Sequence, residues 1–287
     1  MIEPQAKAAY VFPGQGSQWV GMGRDWYQSC APARAVFDEV DEALGFSLSH
    51  LCFEGPEEKL RQTINVQPAI LTVSLACLMA IGDGMMPPAF VAGHSLGEYT
   101  SLVVAGVLDL TEAVRLVQER ARLMHQAGEE KPGGMVAIIG LDQAILEGVC
   151  QEAGVQIANI NCPGQIVISG AKGPLVQATE LARARGARRA IPLEVSGAFH
   201  TPLMQLALEG MSRFIPSLPF RDPLIPIVAN ASALPLASAE AVKAELLDQL
   251  CSCVLWQGSV EYMVHAGVST FIEIGPDIHK HKSIFPF

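Results

Sequence analysis

A serine lies at a predicted sharp corner between a strand and a helix, within FVAGHSLGEYTSLVVAGVL at residues 90–108. An apolar, strand-like run ends at Ala92, and a helix-like segment follows Gly97. Glycine two residues before and after Ser95 permits the tight turn of a G-x-S-x-G nucleophile elbow, which raises the serine hydroxyl above the sheet. In such an elbow the next N–H group, here that of Leu96, points to where an oxyanion develops. The alternative is an ordinary surface turn.

The rest of the chain predicts an α/β fold with two domains. Short β-rich runs alternate with helical runs, a pattern that is typical of helices packed around a mainly parallel sheet. Residues 1–130 and 197–287 are therefore predicted to form a large α/β-hydrolase-like domain with such a sheet. Residues 131–196 show the order βαββαβ, which is typical of a ferredoxin-like domain. We expect this small domain to be inserted into the large one.

Composition limits the class of protein. The chain has 287 residues, half of them apolar, and a formal net charge of -10, so it can bury either one large core or a large core and a smaller one. Its longest apolar stretch, from Val66, contains polar residues and is predicted to be a buried helix with Pro68 in its first turn. No signal-like segment opens the sequence, and the seven cysteines are scattered. We expect a cytoplasmic monomer without a membrane or nucleic-acid partner.

A serine nucleophile needs a base, and His200 is the best-placed histidine. It lies in VSGAFHTPL, between a predicted strand end and a helix, where a loop side chain can reach another loop. His94 is expected to project away from Ser95, and His279 and His281 lie in a charged tail without further metal ligands. No acidic residue between the serine and His200 is well placed as a third member. We therefore expect a Ser-His dyad, with a backbone carbonyl that holds the imidazole tautomer, and no metal.

One arginine interrupts the apolar face of a predicted helix. Asp109 and Glu112 form a predicted capping box at the start of this helix, and its apolar positions run through residues 113–124 with Arg120 among them. A guanidinium in the core must be paired, because an unpaired buried charge is strongly destabilising. Arg120 is therefore either part of a structural salt bridge or a bidentate clamp for a substrate carboxylate.

A glycine-rich loop, FPGQGSQWVGMG, follows the first predicted strand. Its spacing does not match a dinucleotide-binding or P-loop motif, and the P-loop lysine is missing. In an α/β sheet, a loop at this position can bring a backbone N–H group to the oxyanion. Gln15 is the expected donor.

Five segments occur in order along nearly the whole chain: FPGQGSQ, QPA, AGHSLGEYTSLVVAGV, QERARLM and GAFHTPLM. Together they resemble the malonyl-CoA:acyl carrier protein transacylases and the related acyltransferase domains of polyketide synthases. The resemblance implies the same two-domain fold, with Ser95 as the acyl-accepting nucleophile and His200 as its base. It also implies Gln15 and Leu96 as oxyanion-hole donors and Arg120 as the residue that binds the malonyl carboxylate.

The resemblance implies two further site residues. Asn161, in NINCPGQ, falls where the family lines the site with polar side chains. Phe199 occupies the position where relatives that accept methylmalonyl usually carry a smaller residue. The implied reaction is ping-pong transfer from malonyl-CoA to the pantetheine thiol of an acyl carrier protein, without a cofactor. Fatty-acid and polyketide synthesis both remain open as the pathway.

Two segments depart from the family pattern. Where relatives usually carry Pro-Val-Gln-Trp, this chain has Cys253-Val254-Leu255-Trp256. Because the family uses a backbone carbonyl there as the partner of the histidine, we expect the carbonyl of Leu255 to serve. Where relatives continue through Gly-Pro-Gly-Lys into a further helix, this chain reads IGPDIHKHKSIFPF, and we expect looser packing of that edge after Pro276.

Two other functions use parts of the same sequence. A serine thioesterase or lipase would use the same elbow, but it has no need for a carboxylate clamp at Arg120. A binding module for carrier proteins that had kept only the fold would have no need for Ser95 and His200 together. The sequence therefore favours acyl transfer.

A basic cluster stands out in an otherwise acidic chain. CoA and acyl carrier proteins are anionic, so long-range attraction must come from a local basic patch. The densest basic segment, LARARGARRA, contains four arginines: Arg183, Arg185, Arg188 and Arg189. They are either solvated residues that favour the C-terminal end of a helix dipole or a docking site for the carrier protein.

Overall fold

Two separate β-sheets form the framework of the chain. The computed structural model describes residues 6–276. Its strands are β1 (Lys7–Phe12), β2 (Pro88–Gly93), β3 (Gly133–Ile139), β4 (Gln156–Cys162), β5 (Gln165–Ala171), β6 (Arg189–Pro192), β7 (Ile227–Val228), β8 (Pro235–Leu236) and β9 (Val268–Glu273). The expectations for His279, His281 and the segment after Pro276 concern residues outside this range.

Helices connect the strands and cover both sheets. Short 3-10 helices lie at Gly82–Gly84, Pro202–Met204 and Ile215–Ser217. The α-helices are α1 (Arg24–Ser29), α2 (Ala31–Leu44), α3 (Leu48–Glu54), α4 (Glu57–Leu60), α5 (Thr63–Ile81), α6 (Gly97–Val104), α7 (Leu110–Glu130), α8 (Gln143–Ala153), α9 (Lys172–Ala184), α10 (Gln205–Phe214), α11 (Ala239–Asp248) and α12 (Trp256–His265).

The larger sheet has the strand order β8-β7-β2-β1-β9. Its central strands pair in parallel, and β8 runs antiparallel to β7 at one edge. The register places Phe12 opposite Gly93, so the loops that carry Gln15 and Ser95 leave the sheet side by side. The prediction of an α/β fold with a mainly parallel sheet is confirmed.

The smaller sheet is antiparallel, with the strand order β4-β5-β3-β6. Its elements follow one another as β3, α8, β4, β5, α9 and β6, which is the order predicted for residues 131–196. Two backbone hydrogen bonds of 2.9 Å join its edge strand β4 to the segment before α12. The N–H of Ile160 donates to the carbonyl of Val254, and the N–H of Val254 donates to the carbonyl of Ala158.

Packing follows the division between the sheets. One apolar cluster lies wholly within residues 136–182, between the smaller sheet, α8 and α9. A larger cluster covers one face of the larger sheet with α2, α5, α7 and α10, and a third cluster covers the other face with α12. Met135, Ala137 and Val167 of the smaller sheet belong to the larger cluster. The smaller sheet therefore packs over the core of the larger one and forms one wall of a cleft.

The apolar helix α5 begins earlier than the sequence predicts. It starts at Thr63, so Pro68 lies inside the helix rather than in its first turn. Tertiary contacts extend the helix, since Thr63 Oγ1 lies 2.7 Å from Ser196 Oγ and Asn65 Nδ2 donates to the Lys59 carbonyl at 2.8 Å. The helical segment Thr63–Gly84 is long and apolar enough to span a membrane, but 72% of its most apolar window is buried inside the protein. It is a core helix, as expected.

Two strands are shorter than their sequence runs. β7 covers only Ile227 and Val228 of LIPIVAN, and β6 ends at Pro192. Pro226 precedes β7 and Pro192 ends β6, and neither has an N–H group to donate to the ladder, although the N–H of Leu193 still donates to the carbonyl of Met135 at 2.9 Å.

Gly97→Ala tests the close packing at the start of α6. A Cβ on Gly97 would overlap the carbonyl oxygen of Phe12, and this backbone atom of a central strand has no room to move. We expect Gly97→Ala to lower the free energy of unfolding by about 3 kcal/mol, which is the upper end of the range typical of overpacking. Urea unfolding measures the effect.

Gly173→Ala is the matched control, because a Cβ at that exposed position of α9 meets nothing within 4 Å and alanine favours a helix over glycine. We expect this variant to be as stable as the wild type or slightly more stable. Equal stability of Gly97→Ala and the wild type would contradict the close approach of α6 to β1.

Candidate active site

Ser95 has a left-handed backbone conformation, with a φ of 51°, between the end of β2 and the start of α6. This conformation costs a residue with a side chain about 1–2 kcal/mol. The flanking glycines are required by packing, since a Cβ on Gly93 would overlap the backbone of Gly97. The chain therefore turns here with the geometry of the predicted elbow.

His200 reaches Ser95 from the loop before α10. The Ser95 Oγ and His200 Nε2 atoms are 2.8 Å apart, and His200 Nδ1 lies 2.8 Å from the carbonyl oxygen of Gln249. Because a carbonyl oxygen only accepts, Nδ1 carries the proton and Nε2 presents its lone pair to the serine hydroxyl. Two residues that are far apart in the sequence thus meet in the arrangement of a nucleophile and its base.

The carbonyl that holds His200 is not the one expected. The prediction of Leu255 is wrong, because Leu255 caps the start of α12 and its carbonyl accepts from the Ser259 N–H at 2.9 Å. Gln249 instead follows the last turn of α11. Carbonyls at a helix C-terminus lack a partner within the helix, so that of Gln249 is free to accept from the imidazole.

The surroundings of His200 keep its imidazole neutral. The residue is 4% exposed. Burial, with a further contribution from the positive charge of Arg120, lowers the pKa of His200 to about 3, although the hydrogen bond to Gln249 opposes the shift. His200 is therefore able to accept a proton throughout the physiological pH range.

Arg120 projects from α7 into the same site. The predicted capping box of Asp109 and Glu112 is present at the start of this helix, and Arg120 is 1% exposed. Its Nη1 donates to Gln67 Oε1 at 2.8 Å. Its Nη2 donates to Gln249 Oε1 at 2.8 Å and to Ser95 Oγ at 3.1 Å.

The guanidinium of Arg120 is held by neutral groups. No ion pair within residues 6–276 includes it, so the structural salt bridge considered from the sequence is wrong. Its centre lies 4.9 Å from the middle of the Tyr99 ring, which adds a cation–π contact. A buried cation beside a nucleophilic hydroxyl is well suited to bind a carboxylate on the group that the nucleophile attacks.

The cleft above Ser95 lies between the two sheets. Gln15, Leu96 and Phe199 line it from the larger sheet and its loops, and Asn161 lines it from β4. Within the described part of the chain, the N–H groups of Gln15 and Leu96 donate to no backbone acceptor. Both groups are therefore free to bind an oxygen atom that enters the cleft.

His94 lines the same cleft as Ser95, and its expected orientation away from the serine stays a prediction. Its Nε2 lies 2.9 Å from Asn161 Oδ1 across the cleft. Its ring centre lies 5.8 Å from that of Trp256. His94 thus links the larger sheet to the smaller one, and this contact fixes the orientation of the Asn161 side chain.

Four buried polar residues complete the site and were not selected from the sequence. They are Gln67, Glu98, Asn230 and Gln249. Gln67 lies within the QPA segment, and Glu98 directly follows the elbow, so both had a local signal. Asn230 follows the apolar run LIPIVA, and Gln249 lies between Asp248 and Leu250, and nothing in either pattern identifies their partners.

The arginine cluster lies at the end of α9 and the start of β6. Its four members are exposed, and Arg185 forms an ion pair with Glu152. None of the four lines the catalytic cleft. Arg183 lines a neighbouring groove that shares Met135 and Leu193 with the cleft.

An α/β fold in which a serine and a histidine meet beside a buried arginine defines a class of acyl-transferring serine enzymes. The chain belongs to the acyl transferase domain family, whose model matches residues 9–280. The malonyl CoA-acyl carrier protein transacylase of Bacillus subtilis is 45% identical over 276 residues, which cover 94% of this chain and 87% of the relative.

Solved structures agree with this membership. An acyl carrier protein S-malonyltransferase from Vibrio cholerae superimposes with a TM-score of 0.90 at 41% identity, covering 94% of this chain and 90% of that one. A malonyl-transacylase in complex with its type II PKS acyl-carrier protein gives a TM-score of 0.91 at 40% identity, with 94% and 89% covered. The predicted family is confirmed.

The pKa of His200 leads to a prediction about pH. The rate of Ser95 modification by a neutral sulfonyl fluoride should stay nearly constant from about pH 8 to about pH 5, because His200 remains unprotonated. A histidine with an ordinary pKa of about 6.5 would slow the reaction about 30-fold at pH 5. Intact mass spectrometry follows the modification, and circular dichroism checks that the fold persists. A midpoint near pH 6.5 would contradict the burial of His200.

Proposed function

We propose that this protein transfers a malonyl group from malonyl-CoA to the phosphopantetheine thiol of an acyl carrier protein, through an acyl-enzyme on Ser95. The observation that carries the proposal is the distance of 3.1 Å between Arg120 Nη2 and Ser95 Oγ. A cation so close to the nucleophile favours an acyl group that ends in a carboxylate. The names of the relatives agree with this substrate and this partner.

In the first half-reaction, Ser95 Oγ attacks the carbonyl carbon of the malonyl thioester. His200 Nε2 takes the hydroxyl proton, and the carbonyl oxygen becomes an oxyanion that the N–H groups of Gln15 and Leu96 stabilise. The intermediate then collapses, the C–S bond breaks, and His200 returns the proton to the leaving CoA thiolate. The malonyl group is left as an ester on Ser95.

The second half-reaction runs the same steps with a different thiol. The pantetheine thiol of the carrier protein gives its proton to His200 and attacks the serine ester. The oxyanion forms in the same place, the C–O bond to Ser95 breaks, and His200 protonates the serine oxygen. This ping-pong order explains how one cleft serves two large thiol carriers in succession.

Three residues are proposed to select the acyl group. Arg120 binds the malonyl carboxylate with both of its terminal nitrogens, and the carboxylate takes the place of Ser95 Oγ as an acceptor of Nη2. Phe199, which is 5% exposed, occupies the space that an α-methyl branch would need, so methylmalonyl should be disfavoured. Asn161 offers its amide nitrogen to the substrate, since its oxygen faces His94.

A serine hydrolase is the alternative function, and it is not favoured. The family and the named relatives are acyltransferases, and Arg120 is a buried charge that a hydrolase of neutral acyl groups has no reason to keep. A binding module without activity is disfavoured as well, because His200 meets Ser95 at hydrogen-bonding distance.

We also propose that the chain has two domains. Residues 1–130 and 197–287 are proposed as an α/β-hydrolase-like domain and residues 131–196 as an inserted ferredoxin-like domain. A separate apolar cluster within residues 136–182 supports this division. We further propose a cytoplasmic monomer without a nucleic-acid or membrane partner, in line with the net charge of -10 and the burial of α5.

The arginine cluster is proposed as a docking site for the carrier protein. The exposure of Arg183, Arg188 and Arg189 leaves them open to an acidic partner, whereas Arg185 would exchange Glu152 for a carboxylate of that partner. The groove lined by Arg183 shares residues with the catalytic cleft, which supports a route from the cluster towards Ser95.

Ser95→Ala tests the nucleophile. We expect no acyl adduct after incubation with malonyl-CoA, because the variant has no atom that can form the ester, and we expect a cooperative thermal unfolding transition, which shows that the fold persists. Intact mass spectrometry and thermal unfolding measure the two quantities. If the variant still gains the mass of a malonyl group, the nucleophile is another residue.

Arg120→Ala tests the choice of acyl group. Removing one partner of a desolvated charge pair costs roughly 2–5 kcal/mol, so the preference of kcat/KM for malonyl-CoA over acetyl-CoA should fall by orders of magnitude, mainly through loss of the malonyl rate. Arg115→Ala, an exposed position on the same helix, is the control and should keep the preference. Equal rates of the wild type with both substrates would refute the clamp.

Reversal of two arginines tests the docking site. We expect Arg188→Glu/Arg189→Glu to raise the KM for carrier protein and to weaken its salt dependence, with malonyl loading from CoA nearly unchanged. The control is Arg115→Glu/Arg213→Glu, which changes the net charge equally at exposed positions of α7 and α10. An unaltered KM for carrier protein at low ionic strength would leave the cluster as a solvated helix end.

A further inference from the structure

We propose that Glu98 is a positioning residue, which fixes the nucleophile elbow and the carboxylate-binding Arg120 through two carboxamide side chains. The inference rests on the proposed malonyl transfer and extends it, because it assigns a task to a carboxyl group that does not line the cleft. The two carboxamides are those of Asn230 and Gln249. Glu98, Asn230 and Gln249 are completely buried, so each polar atom must find its partner within the protein.

The orientation of Asn230 is dictated by the backbone of the elbow. The N–H of Ser95 donates to Asn230 Oδ1 at 2.6 Å, and a backbone N–H only donates, so this atom must be the oxygen. The nitrogen Nδ2 consequently faces acceptors, namely the carbonyl of Gly93 at 2.7 Å and Glu98 Oε1 at 3.4 Å. One side chain thus holds the backbone on both sides of the strained turn.

The orientation of Gln249 is dictated by Arg120. The guanidinium only donates, so the atom that accepts from its Nη2 at 2.8 Å must be the oxygen Oε1. The nitrogen Nε2 then donates to the carbonyl of Ser95 at 3.0 Å and to Glu98 Oε2. The backbone N–H of Ser95 is therefore held by one carboxamide and its carbonyl by the other.

Both nitrogen atoms converge on the carboxyl group of Glu98. Its Oε1 also accepts from the backbone N–H of Asn230 at 3.0 Å, so that three donor groups face its two oxygens. Burial raises the pKa of Glu98 well above its usual value, and the hydrogen bonds from Asn230 and Gln249 oppose this shift. Because three donors occupy its two oxygens, the form that fits the site is the carboxylate, which accepts at both oxygens and offers no competing donor. Glu98 therefore requires each carboxamide to turn its nitrogen inward and its oxygen towards Ser95 or Arg120.

Glu98→Gln would remove the acceptor for Gln249 Nε2 and keep the size and shape of the side chain. Glutamine can keep its oxygen where two Asn230 donors converge, but its NH2 group then faces the NH2 group of Gln249. Two donors in contact repel, so Gln249 turns over and presents nitrogen instead of oxygen to Arg120. The guanidinium loses an acceptor and shifts, whereas Asn230 continues to hold the N–H of Ser95.

The experiment measures two properties of Glu98→Gln against the wild type. The ratio of kcat/KM for malonyl-CoA over acetyl-CoA should fall about 10- to 100-fold, because displacement of a binding group by about 1 Å has effects of that size. The rate of Ser95 labelling by phenylmethanesulfonyl fluoride, which has no carboxylate, should fall by a smaller factor than this ratio, because Asn230 still holds the N–H of Ser95 although Gln249 no longer donates to its carbonyl. A purely structural role would lower the melting temperature and leave the ratio unchanged.

Glu245→Gln is the matched control. Glu245 is also a buried carboxyl, 7% exposed, but it accepts from the N–H of Ala231 at 2.7 Å, and a glutamine oxygen can keep that contact. We expect Glu245→Gln to have the same ratio of kcat/KM for malonyl-CoA over acetyl-CoA as the wild type. Misplaced binding groups typically cause much larger losses than about twofold. A malonyl-over-acetyl ratio of kcat/KM in Glu98→Gln that stays within about twofold of the wild-type ratio would therefore overturn the positioning role.

A failure of the wild type to prefer malonyl-CoA would instead overturn the proposed function, so the two failures are distinguishable. If Glu98→Gln does not fold, Gln249→Met tests the same link. Methionine keeps the backbone carbonyl that accepts from His200 and removes the carboxamide between Glu98 and Arg120. The malonyl-over-acetyl ratio should fall in this variant as well, and an unchanged ratio would overturn the proposal.

Discussion

The buried positive charge of Arg120 is the constraint on which the site depends. A guanidinium that is 1% exposed loses its hydration, and this loss is costly unless protein groups replace the water. Here the oxygens of Gln67 and Gln249, the Ser95 hydroxyl and the Tyr99 ring replace it. Because these partners are neutral, the cation keeps its attraction for an incoming carboxylate.

The two sheets form opposite sides of the cleft around Arg120. The larger sheet brings the loops after β1 and β2 together, and α7 carries the arginine beneath them. The smaller sheet closes the cleft from the other side through Asn161, which contacts His94 at 2.9 Å. Burial is the main cause of the lowered pKa of His200, and the charge of Arg120, which we propose to select the substrate, lowers it further.

The parts that could be predicted from the sequence are those with a local signal. Gly93 and Gly97 mark the elbow, the apolar stripe of α7 isolates Arg120, and the βαββαβ order of the smaller sheet follows from local periodicity. The carbonyl partner of His200 and the roles of Asn230 and Glu98 could not be predicted, because they depend on contacts between segments more than 40 residues apart. The resemblance of the motifs supplied the expected acyl group, which spacing alone did not specify.

The most direct test of the account is the identity of the group that Ser95 accepts. The wild type is exposed briefly to an equimolar mixture of malonyl-, methylmalonyl- and acetyl-CoA, and its intact mass is then measured. The account predicts a single adduct with the mass of a malonyl group, located on the peptide that contains Ser95. Comparable amounts of acetyl and malonyl adducts, or an adduct on another residue, would contradict it.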